Sequence, residues 1–146
     1  MKVFTQKISA TTAGLDTLPV RIGAGVIFVA HGAQKLFGWF GGYGLEGTAG
    51  WMASIGLEPG LLMATMAGSA EFFGGLLLIA GLWVRPVALV LAITMIVAIS
   101  TVHLQHGLFL ANNGYEFGLA LLAICLGLAV RGAGSLSADR ALSARA

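Results

Sequence analysis

Six ionisable side chains stand within or beside long apolar stretches of this 146-residue chain: His31, Lys35, Glu71, His103, His106 and Glu116. Placing a charge at the centre of a bilayer costs at least about 2.5 kcal/mol on insertion scales, so residues of this kind usually mark function. His31 and Lys35 are at i and i+4, on one face of a helix, with Phe28 one turn earlier. Glu71 is the one formal charge in its own apolar stretch. A carboxyl there suits proton exchange at a ligand, or it pins helix register by pairing with Lys35 or His31. Glu71, His31 and Lys35 are therefore the candidate reacting groups. His103 and Glu116 would form an outer proton path, and Phe28, Phe72, Phe73 and Tyr115 would frame a flat ligand. Plainer roles exist for some of these residues. Lys35 can snorkel its ammonium to lipid headgroups, and His103 and His106 can be ordinary interfacial histidines. A histidine pair at i and i+3 is a weak metal signal even with Glu116 or Glu71 as a third ligand, so no metal is assigned.

The elements that carry these residues follow from composition. The chain is 58% hydrophobic and 10% charged, whereas a soluble domain is roughly a quarter charged. Too few charges are available to clothe a soluble surface, and the composition points to the lipid bilayer. Four stretches, at about 18–39, 60–82, 86–105 and 113–131, are long enough to cross a hydrocarbon core of about 30 Å as helices. Pro59 and Pro86 sit where helices begin without losing a needed N–H. Seven of the eight Lys and Arg residues (Lys2, Lys7, Arg21, Arg85, Arg131, Arg140 and Arg145) fall on one side of these spans, and Lys35 alone on the other. By the positive-inside rule both termini are cytoplasmic. At 1.5 Å per residue, Glu71 then lies roughly 16 Å below the external surface and His31 about 12 Å. All the candidate groups fall in the external half, which implies a polar pocket open outward and closed by apolar packing toward the cytoplasm. Between the first two spans, Gly47 to Ile55 is expected to form a short helix with Trp51, Met52 and Ile55 at the lipid interface. Small residues at helix-packing spacing, Ala64–Gly68–Phe72, Ala67–Glu71–Gly75 and Gly114–Gly118, predict close backbone approach.

Several classes are excluded. The lone Cys125 permits no disulfide or CxxC pair within the chain, which argues against electron transfer from thiols to quinones. The Gly38–Gly44 run has no GxGxxG after a strand and no GKS or GKT, so no nucleotide phosphate site is expected. The basic residues are scattered, which excludes nucleic acid as a partner. Residues 1–17 lack the continuous apolar core of a cleavable signal peptide. No internal repeat of the inverted transporter type is apparent.

Taken in order, Arg21-Ile22-Gly23, the run Ala30-His31-Gly32-Ala33-Gln34-Lys35-Leu36-Phe37-Gly38, Glu71-Phe72-Phe73-Gly74-Gly75-Leu76 and Gly81-Leu82-Trp83-Val84-Arg85 resemble the DoxX family of small bacterial four-helix membrane proteins. Gly114-Tyr115-Glu116 and the closing Gly132 to Asp139 are similar to that family's last helix and tail, although Ala133 replaces a common proline and Leu136 a frequent basic residue. The resemblance covers about Leu18 to Leu142. It implies an integral membrane protein that serves as an oxidoreductase component, linked to quinone or thiol redox pathways.

The expectation is therefore an all-α, integral membrane four-helix bundle with a short interfacial helix between spans one and two. A cytoplasmic amino-terminal segment (1–17), a transmembrane domain (18–131) and a cytoplasmic tail (132–146) make up the chain. It would lie in the bacterial inner membrane as a redox-associated subunit binding a quinone or small aromatic molecule. With no flavin motif, haem ligand pair or thiol pair, it would depend on that quinone or on a soluble or membrane redox partner for electrons. Homo-oligomerisation is compatible with the sequence. A small proton-coupled transporter and a non-catalytic scaffold for a soluble redox enzyme are the rival readings.

Overall fold

The computed structural model describes residues 10–11 and 14–145, the Arg145 side chain excepted; Lys2, Lys7 and most of the amino-terminal segment lie outside them. The described residues form helices joined by short loops, without strands. Six helices follow in order: α1 (Thr17–Phe37), α2 (Gly44–Ser54), α3 (Gly60–Ala80), α4 (Val84–Ala98), α5 (Glu116–Arg131) and α6 (Ala138–Arg145). A π turn at Ile99–His103 and a 3-10 turn at Leu104–His106 prolong α4. Gly60–Ala80 and Val84–His106 are each long and apolar enough to cross a membrane.

The helix ends depart from the expected spans for local reasons. Gly38 takes a left-handed φ of 72° and ends α1 at Phe37, short of residue 39. Gly81, at φ 69°, does the same for α3. Asn113 is left-handed at φ 61°, so α5 starts at Glu116 and not at 113. The short helix spans Gly44–Ser54 in place of 47–55; Trp51 and Ile55 are exposed on it as expected, but Met52 is buried.

Helix α1 packs most extensively on α3, and α4 on α5; α2 and α4 also lie against α3, while α1 and α5 touch only slightly. The α1–α3 seam is made by glycine. A Cβ added to Gly25 would lie 2.9 Å from the Gly75 carbonyl oxygen, one added to Gly75 2.6 Å from that of Gly25, and one added to Gly32 2.7 Å from Phe72 Cα. Gly68 faces Leu36, whose Cδ2 would be 2.8 Å away. Gly25 and Gly32, like Gly68 and Gly75, are two helical turns apart, so each pair forms one stripe and the two backbones touch along both. The Gly114–Gly118 pair does not work this way. Gly114 precedes α5 and is wedged against the Gly107–Phe109 backbone, and Gly118 alone faces a helix, at Ile99.

Below the cleft described next, the interior is apolar, with Ala24, Leu78, Val84, Leu91, Cys125 and Leu128 buried. Where Thr11 and Gly14 meet residues 131–135, the tail is folded over the helices and not free. Arg21, 2% exposed, donates from Nη1 to Ala133 O (2.8 Å) and from Nη2 to Leu136 O (2.7 Å). The buried Asp139 clasps the α3–α4 turn: its N–H donates to Gly81 O (2.9 Å), and its carboxylate accepts the N–H groups of Trp83 (2.8 Å) and Val84 (3.0 Å). Those N–H groups open α4 and have no partner within the helix. Asp139→Ala removes their acceptor, and each stranded buried donor costs roughly 1–3 kcal/mol. We expect a clearly lower melting temperature in detergent, with a smaller drop for Asp139→Asn, which keeps one acceptor oxygen. A wild-type melt for the alanine variant would remove the clasp from the account.

Candidate functional site

A cleft of about 120 Å³ opens among α1, α3, α4 and α5, at the end opposite the clasp. Helix α1 contributes Phe28, His31 and Lys35, which at i, i+3 and i+7 occupy one face. Glu71 enters from α3. Met95, Ala98 and His103 come from α4 and its extension, and Phe117, Gly118 and Leu121 from α5.

The polar centre of the cleft is an ion pair. Lys35 Nζ donates to Glu71 Oε2 at 2.6 Å, with the lysine side chain 24% exposed and the glutamate side chain 5%. Of the two partners considered for Glu71, Lys35 is the one bonded, so its ammonium turns inward to the carboxylate. The glycine seam makes this reach possible, because Gly68 faces the Lys35 and Leu36 side chains and lets α1 lie against α3. His31 stands beside the pair, its ring 6.0 Å from that of Phe117 and tilted by 43°. A chemically mixed wall results, with an ammonium, a carboxylate and an imidazole facing apolar side chains.

The loop between α4 and α5 covers the mouth of the cleft at this end. His103 Nδ1 donates to Asn113 O (2.8 Å), which leaves Nε2 as the acceptor of the neutral ring. Glu116 Oε1 accepts the Leu110 N–H (2.6 Å). The Tyr115 and Glu116 N–H groups donate to Gly107 O (3.0 Å) and Leu108 O (2.9 Å). Leu110 and Gly114 thereby sit over the cleft as its roof.

Of the expected site residues, Phe28, His31, Lys35, Glu71 and His103 line one cleft. Glu116 is instead a roof fastener, and Tyr115 donates its backbone N–H to the same loop. Phe72 and Phe73 are not in the lining. Consecutive residues of a helix diverge by about 100°, so with Glu71 aimed inward its two followers turn outward. They join a run of edge-to-face rings, Phe73 to Phe72 at 5.3 Å and Phe72 to Phe37 at 5.2 Å. The missing aromatic wall is Phe117, which sequence reasoning passed over. Its signal was present: Phe117, Leu121, Cys125 and Leu128 recur at helical spacing, and the last three are buried. No group of three or more His, Cys, Asp or Glu able to hold a metal occurs among the described residues.

Comparison with known proteins adds a family. The model of the DoxX family matches residues 17–104, which carry the α1, α3 and α4 walls of the cleft but not Phe117. The chain is also similar to the protein described as "Putative oxidoreductase CatD" of Bacillus subtilis (strain 168), with 37% identity over 114 residues and 78% of each chain covered. No solved structure matches it.

Proposed function

Starting from the fact that the chain belongs to the DoxX family, whose members are membrane-associated, we propose that it is a redox-associated inner-membrane subunit that holds the ring of a quinone in the cleft. The observation that carries this reading is the Lys35–Glu71 ion pair at 2.6 Å, set in the wall of an otherwise largely apolar recess. One ring sets the scale: the partly open recess measures about 120 Å³, and a closed apolar cavity of about 150 Å³ holds benzene. The donors fit as well. Lys35 and His31 present N–H groups to a carbonyl oxygen, Glu71 gives and takes a proton, and Phe28 and Phe117 lie against the ring. A bound quinone would supply the redox chemistry that the side chains lack, with electrons from a partner enzyme. The similarity to a protein described as an oxidoreductase supports the same direction. A transporter for larger solutes fits less well, because the recess is small and the core beneath it is packed.

The proposed topology has four membrane passes, both termini in the cytoplasm and the cleft facing outward. Reporter fusions should place Gly44 outside and Arg131 in the cytoplasm; equal sidedness would remove the outward cleft, and the reverse order would invert it. The ligand reading is tested by extraction of protein purified gently from bacterial membranes. Quinone should be recovered in proportion to protein, and after depletion a decyl-tailed benzoquinone should bind back saturably. Failure of both would refute the reading.

A further inference from the structure

Resting on the ring-binding reading, we infer that the ligand enters sideways from the bilayer, between α1 and α5, past a gate formed by His31 and Phe117, and that its class is a flat ring carrying an apolar tail. The other routes are closed by named contacts. The outer mouth lies under the α4–α5 loop, which is fastened by His103 to Asn113 O, by Glu116 to Leu110 N–H, and by two backbone bonds to Gly107 O and Leu108 O. Toward the clasp, the buried side chains of Ala24, Leu91 and Cys125 leave no channel. The α1–α3 side is sealed by glycine-mediated backbone contact and α4 is packed on α5, while a separate recess between α3 and α4, lined by Ala70, Gly74, Leu77, Trp83, Pro86 and Val90, shares no lining residue with the cleft.

The α1–α5 side differs. These two helices touch only slightly. His31 and Phe117 both line the cleft and both remain exposed on the outer surface, Phe117 at 37%. A side chain that faces the recess on one side and the exterior on the other is a boundary between the two. His31 stands six residues before the end of α1, about 9 Å along the helix, so in the proposed topology this boundary lies at hydrocarbon depth and opens to lipid. A recess that holds one ring has no room for a long chain. A tailed ligand seated with its ring at Lys35 and Glu71 must leave its tail in the α1–α5 gap.

The gate is tested with a decyl-tailed benzoquinone bearing a photoreactive diazirine at the tail end, bound to the protein in nanodiscs. Labelled positions are mapped by peptide mass, and ring binding is measured separately by competition with tail-free benzoquinone. Labels on the facing surfaces of α1 and α5 are expected. Phe117→Trp, which narrows the gap, should slow loading of the tailed probe by about tenfold, equivalent to ~1.4 kcal/mol of barrier, while melting stays near wild type. Competed ring binding with labels confined to the 107–115 loop or to the α3–α4 face would overturn the lateral gate and leave the ring site standing. Absence of any competed ring binding would overturn the ring-binding reading, and the gate with it. If Phe117→Trp lowers the melting temperature, Phe117→Leu should widen the gap and speed loading; unchanged loading in both variants also overturns the gate.

Discussion

Lys35→Met should destabilise the protein by about 3 kcal/mol, because it leaves the Glu71 carboxylate buried without its cation; losing one partner of a buried pair costs about 3–5 kcal/mol. The lower end of that range applies here, since the lysine side chain is 24% exposed and water already shields part of the attraction. Adding Glu71→Met to the same chain should restore stability to near the wild-type value, as apolar residues of similar size often replace such a pair without loss. Glu71→Gln alone keeps an oxygen for the Lys35 ammonium and should melt much closer to wild type, yet it can no longer exchange a proton. Melting curves of the four proteins in one detergent decide the matter. Equal stability of Lys35→Met and wild type would mean that the pair is not formed in the membrane protein.

An effect of similar size is expected at the glycine seam. A Cβ on Gly32 would sit 2.7 Å from Phe72 Cα, and backbone cannot swing aside as a side-chain tip can. Overpacking costs typically 1–3 kcal/mol. Gly32→Leu should reach or exceed the top of that range and push α1 from α3, and Gly32→Ala should already be measurably weakened. Gly127→Leu is the control, because nothing lies within 4 Å of a Cβ built there. The seam also aligns the ion pair, so Gly32→Ala should lose ligand binding along with stability. If Gly32→Leu folds as well as Gly127→Leu, the two helices do not touch as described.

How far these features were legible in the sequence depends on the kind of information each needs. Apolar length and the positions of Pro59 and Pro86 foretold helices to within a few residues, because a helix end is a local event. The coincidence of His31, Lys35 and Glu71 was also legible, since polar groups at membrane depth must find one another. Side-chain direction on α3 was less so. The sequence Glu71-Phe72-Phe73 invites reading all three as one site, but helical rotation sends them to different faces. Glu116 was misplaced for another reason. Its partner is the backbone N–H of Leu110, and only the loop conformation set by Asn113 and Gly114 brings the two together. The role of Gly25 and Gly32 in the seam depends on the stripe opposite, on α3, and no single-helix pattern contains that information. Arg21 bonds Ala133 O and Leu136 O more than a hundred positions away, and Asp139 clasps the α3–α4 turn more than fifty positions away, so spacing alone could not pair them.

We propose that the Lys35–Glu71 pair belongs to a ligand site and is not merely a structural tie. The most direct measurement is a calorimetric titration of decyl-tailed benzoquinone into quinone-depleted wild type and into the Lys35→Met, Glu71→Met double variant, after both have been found to melt alike. Saturable binding to the wild type and none detectable to the double variant are expected. Binding of the same affinity to both proteins would contradict the proposal.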